Sequence, residues 1–284
     1  MSIKRVGIVG SGIMGTGIAE VAAATGHDVV LRSRTDAGAQ GMRDRLEKSL
    51  NRQVERERKT EAERDDILGR VEVTSKLKDL ASSEIVIESV IEDRTVKREL
   101  FAELDAICAD AVVLATNTST LAVVELAMET KRPERVCGIH FFNPAPVMAL
   151  VELVRPITAS DDTMDVARRF AVGCGKETVE VKDEAGFVVN ALLFPYLNNA
   201  VRLLEGGVAT KEGIDAAMVG GCGFPMGPFA LLDLVGLDTS VAILDALYDE
   251  HREPNYAAVP LLRRMVSAEQ LGRKSGHGFY DYRT

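Results

Sequence analysis

The sequence predicts an α/β chain in two parts, an open doubly wound sheet with helices on both faces followed by an all-helical domain. Three observations carry that expectation. Short apolar runs recur with helical patterns between them, as strands buried on both faces require. A strand, a glycine-rich turn, a helix and a second strand open the chain. Beyond Asp183 the strand pattern stops and helical periodicity takes over. A length of 284 residues suits two cores better than one, so one domain is expected over 1–183 and a second over 184–284.

Taken in order, Val6-Gly-Ile-Val9 reads as the first strand, Gly10-Ser-Gly-Ile-Met-Gly15 as the turn, 16–25 as a helix and Asp28-Val-Val-Leu31 as the second strand. Residues 43–78 interleave Arg and Lys with Asp and Glu around sparse apolar positions, Leu46, Leu50, Val54, Ile67 and Leu68. An exposed helical excursion is expected there rather than core. Strand signals resume with Ile85-Val-Ile-Glu88, Val112-Val-Leu-Ala115, Val136-Cys-Gly-Ile139 and Thr178-Val-Glu-Val181. Residues 186–204 and 214–249 are expected to be helical.

Composition narrows the function classes. A net charge of -9 disfavours nucleic acid and anionic membrane as partners, and an anionic substrate would need a local basic patch. No run is apolar enough to span a membrane and no apolar leader follows Met1, so a cytoplasmic protein is expected. Cys108, Cys137, Cys174 and Cys222 form no CxxC pair and read as buried, reduced thiols rather than a disulfide framework or a zinc site.

The glycine run fits the dinucleotide fingerprint of a Rossmann domain. Gly10 permits the tight turn, Gly12 lets the backbone approach a pyrophosphate, and Gly15 lets helix and strand pack closely. The helix start at Ile13 and Met14 then faces the phosphates of a nicotinamide dinucleotide. A second cluster is Gly138-Ile-His140-Phe-Phe-Asn143-Pro, followed by Val151-Glu152-Leu-Val. A solitary His at a strand end is more often structural than catalytic. Glu152 alters that balance, because a carboxylate in an apolar run is costly to bury unless a hydrogen-bonded partner such as an imidazole offsets the cost. The pair reads as a general base with its orienting carboxylate.

These motifs, with Asn117-Thr-Ser119, Gly186-Phe-Val-Val-Asn190, Pro225-Met-Gly-Pro228, Asp233-Leu-Val-Gly-Leu-Asp238 and the segment from Gly272 to Tyr280, resemble the 3-hydroxyacyl-CoA dehydrogenase family, especially its short bacterial 3-hydroxybutyryl-CoA dehydrogenases. The resemblance covers essentially the whole chain. It implies a short-chain (S)-3-hydroxyacyl-CoA substrate, NAD or NADP as cofactor, and a homodimer formed through the helical domain. It also implies His140 as catalytic base, Glu152 as its partner, and Ser119 and Asn190 as holders of the substrate's 3-oxygen. Glu92, Lys97, Asn143 and Lys274 match cofactor-lining positions. From the residues alone, Ser119 in Asn-Thr-Ser-Thr also reads as a helix N-cap.

Ser33 stands where NAD-using relatives carry an acidic residue, while Arg32 and Arg34 flank it and would attract a 2′-phosphate, so NADP is favoured over NAD. Asp36 taking the ribose contact would restore NAD. Phe224 and Thr120 also depart from the residues common in close relatives, His and Ser. Arg45, Lys48, Arg52 and Arg56 share a helix face, with two readings open: a patch for the CoA handle through Lys48 and Arg52, or a solvated face beside Asp44, Glu47 and Glu55. The rival enzyme class, 3-hydroxyacid dehydrogenases with a Lys near the domain junction, has no Lys here until Lys211. A non-catalytic dinucleotide sensor would have no use for His140 and Glu152.

Overall fold

Eight strands form one sheet in the order 3-2-1-4-5-6-7-8: β1 (Arg5–Val9), β2 (Asp28–Arg32), β3 (Val71–Thr74), β4 (Ile85–Glu88), β5 (Val113–Thr116), β6 (Val136–Phe141), β7 (Leu150–Arg155) and β8 (Glu177–Lys182). The computed structural model describes residues 3–110 and 112–283, so the expectations touching Met1, Ser2, Ala111 and Thr284 lie outside the described residues. Strands β1 to β6 run parallel; β7 is antiparallel to β6, and β8 is parallel to β7. Every residue of β4, β5 and β6 is buried, as strands covered by helices on both faces must be. The strand order reverses at β1, between β2 and β4. In such sheets the crevice at the carboxyl ends beside that switch point takes ligands.

The helices of this unit are α1 (Ile13–Ala24), α2 (Asp36–Glu55), α3 (Glu61–Gly69), α4 (Arg94–Ile107), α5 (Val123–Ala127) and α6 (Asp161–Gly173). The expected exposed excursion is corrected: Met42, Leu46 and Leu50 are 0% exposed and, with Ile67, belong to the same core as β1 and α1. Apolar residues four apart give α2 one narrow stripe, sufficient to dock it, while the charged residues between stay in solvent. Arg43 ties the end of α3 and the start of β3 to α2 through the Leu68 and Val71 carbonyls, at 3.0 and 2.7 Å. β3 and β7 were not expected as strands. β3 is a four-residue strand following the charged helices, and the carboxylate of Glu152 interrupts the apolar pattern of β7.

The chain divides into two compact units, one through Glu184 and the other from Ala185. The second is all helical, with α7 (Val189–Glu205), α8 (Lys211–Cys222), α9 (Pro228–Val235), α10 (Leu237–His251) and α11 (Pro260–Ser267) around Leu197, Val201, Phe229, Leu232, Leu244 and Leu262. Fully buried Asp233 accepts hydrogen bonds from the Phe279 and Tyr280 amides, at 2.9 and 2.8 Å, and so fastens the C-terminal segment to α9. Gly272 is needed there: at φ +92° a Cβ would lie 2.4 Å from the Asp233 carbonyl oxygen. Among the described residues no helix is long and apolar enough to cross a membrane.

Candidate active site

The fingerprint turn joins β1 to α1 and has the three properties a dinucleotide cradle needs. At Gly10, with φ +141°, a Cβ would fall 2.1 Å from the Ser89 carbonyl oxygen, so only glycine fits between β1 and the chain leaving β4. A Cβ at Gly15 would sit 2.2 Å from the Gly10 carbonyl oxygen, which fixes the close approach of helix and turn. Gly12 has no neighbour within 4 Å of a built Cβ, leaving its backbone open to a ligand at the helix start, where Ile13 is 73% exposed and Met14 half-buried. These residues fit a bound pyrophosphate.

At the end of β2 the three candidate specificity residues have different surroundings. Ser33 is buried, its hydroxyl pressed towards Gly38 in the first turn of α2. Arg32 is half-buried and donates to the Ser75 carbonyl at 3.4 Å; burial, with Arg34 nearby, lowers its affinity for its proton despite Glu103. Arg34 is exposed. The Asp36 carboxylate accepts from the Ser75 hydroxyl.

The antiparallel register of β6 and β7 places His140 opposite Glu152, and both side chains are buried. His140 Nδ1 lies 2.8 Å from Glu152 Oε2. A carboxylate there accepts the Nδ1 proton, which turns the Nε2 lone pair outward. Nε2 in turn lies 3.1 Å from Ser119 Oγ. Three side chains from β6, β7 and the turn after β5 therefore form one line, with a proton acceptor next to a hydroxyl.

Beside this line lies an ionic network that is buried at Glu88 and Lys97 and reaches the surface at Glu92. Glu88 is fully buried at the end of β4 and accepts from Lys97 Nζ at 2.9 Å on each oxygen, from Thr116 Oγ1 at 2.7 Å and from the Val90 amide at 2.6 Å. Lys97, on α4, is also buried and reaches Glu92 Oε2 at 3.0 Å. The other oxygen of Glu92 accepts from the Ser119 amide at 3.1 Å, from the Thr120 amide at 3.3 Å and from both neighbouring threonine hydroxyls. Burial pushes the Glu92 carboxyl up, yet Lys97 and the hydrogen bonds from Thr118 and Ser119 outweigh it and hold the group below the ordinary glutamate range.

Of the sequence-derived candidates, Ser119, His140, Glu152, Glu92 and Lys97 are thus joined through direct contacts. Lys97 does not present its charge to an open surface, because the side chain is 1% exposed and its ammonium is taken up by Glu88 and Glu92. Asn143 is exposed just after β6. Asn190 lies in the first turn of α7, and Lys274 pairs with Asp238 at 2.5 Å within the helical unit. Lys48 and Arg52 line a groove of about 400 Å³ along α2 together with Asp44, Glu47, Asn51 and Glu55. Three carboxylates accompany the two cations along that groove. Cys222 is exposed rather than buried, unlike the other three cysteines.

Glu88, Asn117 and Thr116 were missed. Asn117 Oδ1 accepts from the Phe141 amide at 2.8 Å and pins the turn after β5 to the end of β6. The signal for Glu88 was present: like Glu152, it is a carboxylate in an apolar strand, which calls for a partner.

A doubly wound sheet with this turn defines a dinucleotide-binding domain, and comparison with known proteins gives the family. Residues 5–184 match the family described as 3-hydroxyacyl-CoA dehydrogenase, NAD binding domain, and residues 186–282 match the 3-hydroxyacyl-CoA dehydrogenase C-terminal domain; the chain belongs to the 3-hydroxyacyl-CoA dehydrogenase family. It is 50% identical to 3-hydroxybutyryl-CoA dehydrogenase of Mycobacterium tuberculosis over 99% of both chains. It is 40% identical to human mitochondrial hydroxyacyl-coenzyme A dehydrogenase over 99% of this chain and 92% of that one. The crystal structure of (S)-3-hydroxybutyryl-CoA dehydrogenase from Ralstonia eutropha superposes with a TM-score of 0.96 at 42% identity, covering 100% of each chain. The resemblance and the fold class expected from the sequence are both borne out.

Proposed function

We propose that this chain is an oxidoreductase interconverting short-chain (S)-3-hydroxyacyl-CoA and 3-oxoacyl-CoA thioesters, with 3-hydroxybutyryl-CoA and acetoacetyl-CoA as the representative pair. The observation that carries the reading is the line Ser119–His140–Glu152, with 3.1 and 2.8 Å separations. In oxidation the substrate's 3-hydroxyl gives its proton to His140 Nε2. Glu152 keeps the imidazole in the required tautomer and stabilises its cation, and in reduction the same nitrogen returns the proton. The Ser119 hydroxyl and the Asn190 amide are neutral groups suited to an oxygen that alternates between alcohol and ketone. When bound at the Gly10–Gly15 turn, the nicotinamide dinucleotide supplies the hydride donor or acceptor.

The family supports NAD as a cofactor. We extend this to NADP: no acidic side chain stands at Ser33, and the exposed Arg34, rather than the half-buried Arg32, is assigned to a 2′-phosphate. The helical unit is assigned to substrate binding and to pairing of two copies. Initial rates with acetoacetyl-CoA and longer 3-oxoacyl-CoA thioesters, each with NADH and NADPH, test the reading. Turnover greatest with the short thioesters is expected; a purified, folded protein that turns over none of them contradicts it.

A further inference from the structure

We infer that Glu88 is a positioning residue for the proposed reaction, acting on the Ser119 hydroxyl through Lys97 and Glu92; the inference rests on the function proposed above. The Glu88 carboxylate holds Lys97, Thr116 and the Val90 amide, so its influence on Ser119 passes through other side chains. It fixes Lys97 by gripping the ammonium with both oxygens at 2.9 Å. Lys97 bears on one oxygen of Glu92 at 3.0 Å, which leaves the other to gather the Ser119 and Thr120 amides and the Thr118 and Thr120 hydroxyls. That gathered turn holds Ser119 Oγ 3.1 Å from His140 Nε2.

Burying Glu88 and Lys97 against each other, with a partly exposed Glu92 beyond them, is expensive, and a fold that needed only stability would do as well with apolar side chains of similar volume. What the charged arrangement adds is direction. Two carboxylates share one ammonium, so the ammonium has one place to sit, and the Glu92 oxygen that bears on the turn has one orientation. Glu88 also closes the end of β4 by accepting the Val90 amide at 2.6 Å, and it ties that end to β5 through Thr116. The start of the Glu92 loop and the start of the Ser119 turn are therefore registered to one side chain.

The test is a double-mutant cycle of Glu88→Gln with Ser119→Ala, read in kcat for acetoacetyl-CoA reduction and in NADH affinity by fluorescence. Glutamine keeps the shape and one oxygen for Lys97 and the Val90 amide, while its amide nitrogen, turned to the Thr116 hydroxyl, gives up the second bond to Lys97. Glu88→Gln is expected to lower kcat about tenfold in the wild-type background and less than about twofold once Ser119 is alanine, because residues acting as a unit are not additive. NADH affinity should change less than about threefold. Equal loss of kcat in both backgrounds, or unchanged kcat in Glu88→Gln, overturns the inference. If Glu88→Gln does not fold by circular dichroism, Glu88→Asp, which keeps the carboxylate but draws it back from Lys97, takes its place in the same cycle, with a loss that must likewise vanish in Ser119→Ala. Absence of turnover in the wild type would instead count against the proposed function, so the two failures are separable.

Discussion

At the scale of single residues, the surroundings of a side chain decide what its chemistry is for. Glu152 is 1% exposed and held to an imidazole, so its charge acts on His140 rather than on solvent. Replacing it with Gln should lower kcat by about 10²-fold or more while NADH still binds, because the tautomer is no longer fixed. Glu92 offers a measurement in pH. Its folded pKa lies below its unfolded value, so the stability it contributes is present above the ordinary glutamate range near 4.3 and is lost as pH falls through the depressed folded value. Melting temperatures recorded from pH 6 downwards should therefore fall less steeply for Glu92→Gln than for the wild type; parallel curves would contradict the assignment. Burial pushes the thiols of Cys137 and Cys174 up to about 12, whereas Cys222 is exposed. Maleimide at pH 7.5 should accordingly label Cys222 first in the native chain, as mass spectrometry of peptides would show.

At the scale of elements, α2 and the turn before it carry two further expectations. Leu50 is 0% exposed in the core, so Leu50→Ala should cost about 2–5 kcal/mol in urea unfolding, far more than a projecting helix would allow. At the turn, Ser33→Asp should lower kcat/KM for NADPH relative to NADH, and Arg34→Ala should do the same while Arg32→Ala has the smaller effect. A native NADH preference that Ser33→Asp leaves unchanged would remove the NADP assignment. The elements that could be read from the sequence were those whose pattern is local. The β1-turn-α1 opening and the fully buried strands β4, β5 and β6 announce themselves by glycine spacing and by short apolar runs. β3 and β7 did not, since pairing along a sheet fixes them as strands and neither carries an uninterrupted apolar run. The stripe Met42, Leu46, Leu50 was likewise hidden, because three apolar positions among many charges dock a helix only when a sheet already offers a surface.

At the scale of the whole molecule, the sequence disclosed the division into a sheet unit and a helical unit, together with the His140–Glu152 pair, because each depends on residue type in a run. The ionic network behind Ser119 depends on residues 88–97 meeting residues 116–120 at the ends of β4 and β5, and a single chain read in order shows no such meeting. The proposed pairing of two copies follows from the family resemblance, and the helical unit leaves Leu192, Val208 and Leu234 exposed. Sedimentation at micromolar concentration should show a species of two 30.7 kDa chains; a single chain throughout would reject it. The central claim is that His140 moves the proton in a 3-hydroxyacyl-CoA dehydrogenase reaction. Its most direct test is the steady-state rate of acetoacetyl-CoA reduction by NADH in the wild type and in His140→Ala, with folding checked by circular dichroism and NADH binding by fluorescence. The account predicts a kcat lower by about 10²- to 10⁴-fold with cofactor binding retained; near-native turnover in folded His140→Ala would contradict it.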